Sequence, residues 1–112
     1  MESDLALFKA CSAPTRLRIL FLLATRELCV CELVEVLEMP QGKISRHLAI
    51  LKQARLVCDR RDATWIYYSL GPADSSLKKH LRNYLKKEAN AVREKDRIRL
   101  QDLANKGQIC TT

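Results

Sequence analysis

No stretch of this sequence approaches the roughly 20 consecutive apolar residues that a membrane-spanning helix needs. The longest apolar run, Ile19–Ala24, is far too short, so no membrane partner is expected. The opening MESDLALFKA is acidic and carries no secretory leader pattern, which predicts a cytoplasmic protein. Internal repeats, low-complexity tracts and an interdomain linker are all missing. Residues 1–112 therefore read as one domain, a length at which folding buries roughly two-thirds of the unfolded surface. There is no Gly-rich phosphate loop, no Cys-x-x-Cys and no nucleophile with a partnered base. An enzyme is not expected. Five cysteines are an odd number, which excludes a complete disulfide framework and leaves metal ligands, reactive thiols or small core residues.

Negative charge is also in short supply. Twenty Lys and Arg stand against 13 Asp and Glu, for a formal net charge of +7. A basic chain suggests a polyanionic partner, nucleic acid or an anionic membrane surface, unless the charge merely keeps the protein soluble. Apolar residues nevertheless make up 47%, enough for a packed core rather than disorder.

Apolar spacing supplies the elements. Leu5, Leu7, Phe8 and Ala10 mark a short helix over residues 4–11. Pro14 suits the first turn of the next, whose Leu17 and Ile19–Leu23 are apolar almost all round and hence central. Cys31–Leu37 predicts a third helix, Met39–Gly42 a break, and Lys43–Ala54 a fourth with Ile44, Leu48 and Leu51 inward. Leu56–Arg60 and Thr64–Leu70 read as two strands of a hairpin with Arg61, Asp62 and Ala63 at its tip, closed off by Gly71-Pro72. Residues 74–104 carry a narrow apolar stripe (Leu77, Leu81, Leu85, Val92, with Ile98 near its continuation) and predict one long helix, followed by a flexible tail over 105–112. Its partner is its own domain or, preferably, the same helix of a second subunit. The resulting fold class is mainly α with a small β-hairpin, in the order α-α-α-α-β-β-α: a winged helix-turn-helix with 74–104 as dimerisation helix.

In such a unit the second helix lies in the major groove. Gln41, Ser45 and His47 there offer hydrogen-bonding groups for base edges, and Lys43 and Arg46 suit phosphate or guanine. Arg60 and Arg61 add a basic wing for the minor groove or a phosphate. An amphipathic helix alone would fit an ordinary solvated surface equally well, and the wing arginines could simply protect a sheet edge; a basic helix followed by a basic hairpin is harder to dismiss as such than either alone.

The strings Thr15-Arg16-Leu17-Arg18-Ile19-Leu20, Glu27-Leu28-Cys29-Val30-Cys31-Glu32-Leu33 and Lys43-Ile44-Ser45-Arg46-His47-Leu48, with Trp65 and Tyr68, resemble the ArsR/SmtB family of metal-sensing winged-helix repressors, in its arsenite-responsive branch. The resemblance spans residues 8 to 70. It implies a homodimer paired through first and last helices, operator DNA as partner, and release when As(III) or Sb(III) arrives as inducer, with no organic cofactor. Two recognition helices would then sit one turn of DNA apart, roughly 34 Å. Some positions depart from the pattern. Val34 stands where relatives often carry a further Cys, Pro40 and Ala13 where caps are usual, and Ala63 where the wing often has Gly.

Cys29 and Cys31 would point roughly 200° apart if both were helical. Gripping one ion therefore requires a backbone that is, or becomes, non-helical where the helix begins; the expectation is that binding strains or unwinds its first turn. A helix N-terminus favours the thiolate form, and soft sulfur selects soft ions. Because trivalent arsenic prefers three sulfurs, Cys110 in the tail is the expected third ligand, from either subunit, with Cys11 as runner-up; Cys58 reads as core. His80 is the only His of the long helix, which argues against the family's zinc site there. A cadmium/lead sensor and a thiol-redox sensor of the same fold are the alternatives.

Overall fold

The computed structural model describes residues 2–88 and 94–106. Its elements are α1 (Glu2–Ala10), α2 (Pro14–Thr25), β1 (Leu28–Cys29), α3 (Val30–Leu37), α4 (Gln41–Gln53), β2 (Val57–Asp62), β3 (Trp65–Leu70), α5 (Ser76–Lys87) and α6 (Glu94–Lys106). This is a winged helix-turn-helix, mostly helical with a small antiparallel sheet. No described helix is long and apolar enough to cross a membrane.

Helix α2 is the centre. Pro14 starts it, Ala13 ahead of it is extended and gives no side-chain cap, and Ile19, Leu20 and Leu22 are wholly buried. Around it pack α4, α5 and β3. Leu33 and Val36 of α3 and Ile44, Leu48 and Leu51 of α4 complete the core, so the polar faces of the two helices turn outward. Pro40 caps α4 without a side-chain bond; its carbonyl accepts from the Lys43 and Ile44 amides, both at 3.1 Å. The turn between the helices needs a left-handed residue, and Glu38 fills it (φ 53°, ψ 48°). A non-glycine residue there costs about 1–2 kcal/mol. Arg99 of α6 offsets this by meeting the Glu38 carboxylate at 2.8 Å and donating to the Val36 carbonyl at 3.1 Å.

The sheet has the order β1-β3-β2, antiparallel throughout. Strand β1 was not foreseen: two residues carry no periodicity. Arg61 and Asp62, expected at the hairpin tip, instead continue the ladder opposite Ile66 and Trp65. The tip is Ala63-Thr64, with Ala63 at φ 57°, so Ala takes the left-handed place where a Gly is common. At the sheet's other end Gly71 leaves no room for a side chain, since a Cβ would lie 2.7 Å from the Arg55 carbonyl oxygen.

The single helix expected over 74–104 is two. Helix α5, capped by the Ser75 hydroxyl on the Lys78 amide, ends at Glu88 and packs on α2; α6 packs on α3 of its own chain. The reason lies in what each half buries. Leu85 closes α5 on the core, whereas α6 is seated by Leu103 and by Asp96, 1% exposed and paired with Arg18 of α2 at 2.7 and 2.9 Å. Ile98, placed near the stripe by spacing, is half exposed. Val92 lies outside the described residues.

Candidate functional site

The junction at Cys29 does two jobs. As the end of β1, Cys29 pairs with Tyr67 of β3; as the cap of α3 it is extended (φ −85°, ψ 166°). Glu32, three residues on, completes a reciprocal cap: its carboxylate accepts from the Cys29 amide at 3.0 Å, while the Cys29 side chain accepts from the Glu32 amide. Arg26 holds the same carboxylate at 3.0 Å. The spacing Cys-x-x-Glu is the S/T-x-x-E signature with sulfur in place of hydroxyl, a signal legible in the sequence.

With Cys29 extended, the two sulfurs come to 2.9 Å from one another. Of the two routes left open, a backbone that is or becomes non-helical, the chain takes the first: Cys29 is already extended, and the sulfurs meet with α3 formed from Val30. They open on a pocket of about 220 Å³ lined by Cys29, Val30, Cys31, Gln41, Thr64, Trp65 and Ile66. Its walls thus include the first residue of α4 and the turn end of the wing.

No third donor joins them among the described residues, where no group of three His, Cys, Asp or Glu could hold a metal ion. Cys110 lies outside those residues. Cys11 sits just past α1, partly buried, and burial pushes its thiol up against the opposing pull of Arg16. Cys58, expected in the core, is exposed on β2 with its sulfur 3.3 Å from the Ser69 hydroxyl; its strand presents it outward, since only Val57 of β2 is buried.

The outward face of α4 carries Gln41, Lys43, Ser45 and Arg46, all exposed, and His47, partly buried. His47 is held from behind: its Nδ1 lies 3.1 Å from an Arg16 guanidinium nitrogen. Burial and then the charges of Arg16, Lys43 and Arg46 keep its imidazole below the ordinary value of 6.5. On the wing, Arg60 is engaged by Glu27 through two bonds of 2.7 and 2.8 Å and lies 4.6 Å over the Tyr67 ring. Arg61 is exposed one pair nearer the tip. Arg16, Glu27, Glu32 and the pocket wall formed by Thr64 and Trp65 were not singled out by function in the sequence.

A helix pair that presents a cationic second helix, braced by a central helix and flanked by a β-ribbon, defines a winged helix-turn-helix regulator. Residues 13–58 match the profile of "Bacterial regulatory protein, arsR family". Over 66 residues the chain is 52% identical to "Arsenic resistance transcriptional regulator ArsR1" of Pseudomonas putida, a match covering 58% of this chain and 52% of that protein. It is 48% identical over 67 residues to the "Arsenical resistance operon repressor" of Escherichia coli, covering 59% and 57%. Among solved structures, the homodimeric winged helix-turn-helix DNA-binding domain Mb0332 of Mycobacterium bovis superposes with a TM-score of 0.68, at 29% identity, covering 80% of each chain. The chain belongs to the arsR family of bacterial regulatory proteins. It spans little more than half the length of the two curated relatives.

Proposed function

We propose that this protein is a metalloid-responsive transcriptional repressor of the cytoplasm. It binds operator DNA as a homodimer and lets go when As(III) or Sb(III) is taken up by the Cys29 and Cys31 thiolates. The observation that carries this reading is the pair of sulfurs, 2.9 Å apart, in a pocket that Gln41 and Trp65 also line. Soft sulfur donors suit a soft, thiophilic centre. The arsenic-resistance names of two relatives point the same way. Cys110 is the proposed third donor. No catalytic role is proposed.

Coupling to DNA follows from the cap. Arsenic competes with the Glu32 amide for the Cys29 sulfur; losing an oxygen N-cap costs about 0.5–2 kcal/mol, and sulfur is the weaker acceptor. That is the size of ordinary allosteric couplings, about 1–3 kcal/mol. The same residue anchors β1 to β3, so the wing and the start of α4 feel the change together. Gln41, Lys43, Ser45, Arg46, His47 and Arg61 are the proposed DNA contacts, with Arg60 available once Glu27 yields it. Leu5 and Phe8 of α1, 58% and 60% exposed, supply an apolar face for the proposed dimer.

The single tryptophan, Trp65, borders the sulfurs and reports on their occupancy. Arsenite, antimonite, cadmium, lead, zinc and peroxide are titrated side by side against Trp65 fluorescence and against release from duplexes selected by the protein. Arsenite or antimonite changing both, and neither in Cys31→Ser, is the expected result. Release by cadmium or lead alone, or by peroxide alone, would replace the metalloid reading.

A further inference from the structure

The bond between Arg16 and His47 has chemical consequences on the far side of the imidazole ring. Arg16 stands on α2, outside the helix-turn-helix face, and is fixed at three points. It donates to the Ala10 carbonyl at 2.7 Å and reaches the Lys9 carbonyl at 3.5 Å, both at the carbonyl-rich end of α1, while a third nitrogen meets His47 Nδ1 at 3.1 Å. A guanidinium has hydrogens to give and no lone pair to offer. The imidazole nitrogen facing it must therefore accept, which requires that nitrogen to be unprotonated. A neutral imidazole with a bare Nδ1 carries its hydrogen on Nε2.

We infer that Arg16 is a positioning residue that fixes His47 in its Nε2–H form, so that α4 presents a hydrogen-bond donor, and no acceptor, at this place in the major groove. The inference rests on the reading of α4 as the DNA-contacting helix. The groove edges that accept such a donor are purine N7, guanine O6 and thymine O4. The amino groups of adenine and cytosine are themselves donors and are refused. His47 is thus a specificity-determining residue by polarity as well as by reach. A second observation agrees. Burial and the charges of Arg16, Lys43 and Arg46 all oppose protonation of the ring, which would turn Nδ1 into a donor facing a donor.

Two arms test this on the full chain. In the first, nitrogen-15 NMR of the imidazoles at pH 7.5 reads the tautomer directly, with His80 as internal reference. His47 is expected as Nε2–H, unchanged in Arg16→Lys, whose ammonium also only donates, and shifted toward a mixture of tautomers in Arg16→Met. Were Arg16→Met unfolded, the wild-type and Arg16→Lys spectra would still decide. A wild-type Nδ1–H tautomer overturns the inference. In the second, duplexes selected from a random pool carry base analogues that delete one major-groove acceptor or one amino group at a time. One acceptor deletion per half-site is expected to weaken wild type about ten-fold. It should weaken His47→Gln similarly, because the amide still donates, and leave His47→Met unaffected. Coupling of His47 to a deleted amino group, or to no base position, overturns the inference. A protein that prefers no duplex would overturn the regulator reading instead, and the tautomer measured in the first arm would stand or fall separately.

Discussion

Removing the ion pair between Arg18 and Asp96 tests whether α6 folds onto its own chain. Asp96 is 1% exposed and accepts two bonds from one guanidinium, at 2.9 and 2.7 Å, whereas the Arg18 side chain keeps 17% of its exposure. Breaking a buried pair by deleting one partner costs about 3–5 kcal/mol, most of it the penalty of stranding the other charge. Stranding falls unequally here. Asp96→Asn leaves a guanidinium that water reaches and an amide oxygen that still accepts, for a loss of about 2–3 kcal/mol. Arg18→Met leaves a buried carboxylate without the guanidinium that pairs with it among the described residues, for a loss of about 4–5 kcal/mol. Urea unfolding of both single variants and of the double variant measures the difference. The double variant should be more stable than Arg18→Met alone, because it no longer buries an unpaired charge. Equal costs for the two single variants, or additive costs in the double, would refute the packing of α6 on α2 and α3.

Cys29→Ser should keep the cap of α3 and stay within about 0.5 kcal/mol of wild type, whereas Cys29→Ala should lose about 1 kcal/mol; thermal melts compare them, and both should lose the arsenite response. Glu27→Gln should loosen Arg60 and raise affinity for random duplex, with a salt dependence steeper by about one unit in the log–log slope; an unchanged slope would keep Arg60 off the phosphates. For pH, the folded value of His47 lies below its unfolded value of 6.5, so the unfolded chain binds more protons below that point. Its contribution to stability is therefore complete above pH 6.5 and declines as pH falls through the folded value. His47→Gln should flatten that part of the denaturation profile, and an identical profile would exclude the His47 environment described here.

Core and helix-turn-helix were readable because Ile19, Leu20, Leu33, Ile44, Leu48 and Leu51 repeat at helical spacing and all are buried. The winged helix-turn-helix and the family resemblance were likewise legible from local strings. Interactions between distant residues were not. Nothing local says that Arg16 meets a histidine 31 residues on, or that Arg18 meets Asp96 across 78. The division of the last helix escaped for the same reason: a stripe of leucines fixes a face but not the neighbour it covers. Strand β1 is set by the partner strand rather than by its own two residues. At Cys29 and Cys31 the spacing was visible, and with it the need for a backbone that is or becomes non-helical; what was not visible is the extended cap that meets this need and brings together side chains a continuous helix would separate.

One residue closes the sheet and opens α3, and this joint constrains how the sequence can change. Slipping a residue in or out between Leu28 and Glu32 would flip the strand's pleat, pull the carboxylate off the amide it seals, and carry one sulfur to the opposite wall. The two-residue interval between the thiols is thus dictated by the carpentry of the joint as firmly as by the appetite of any ion.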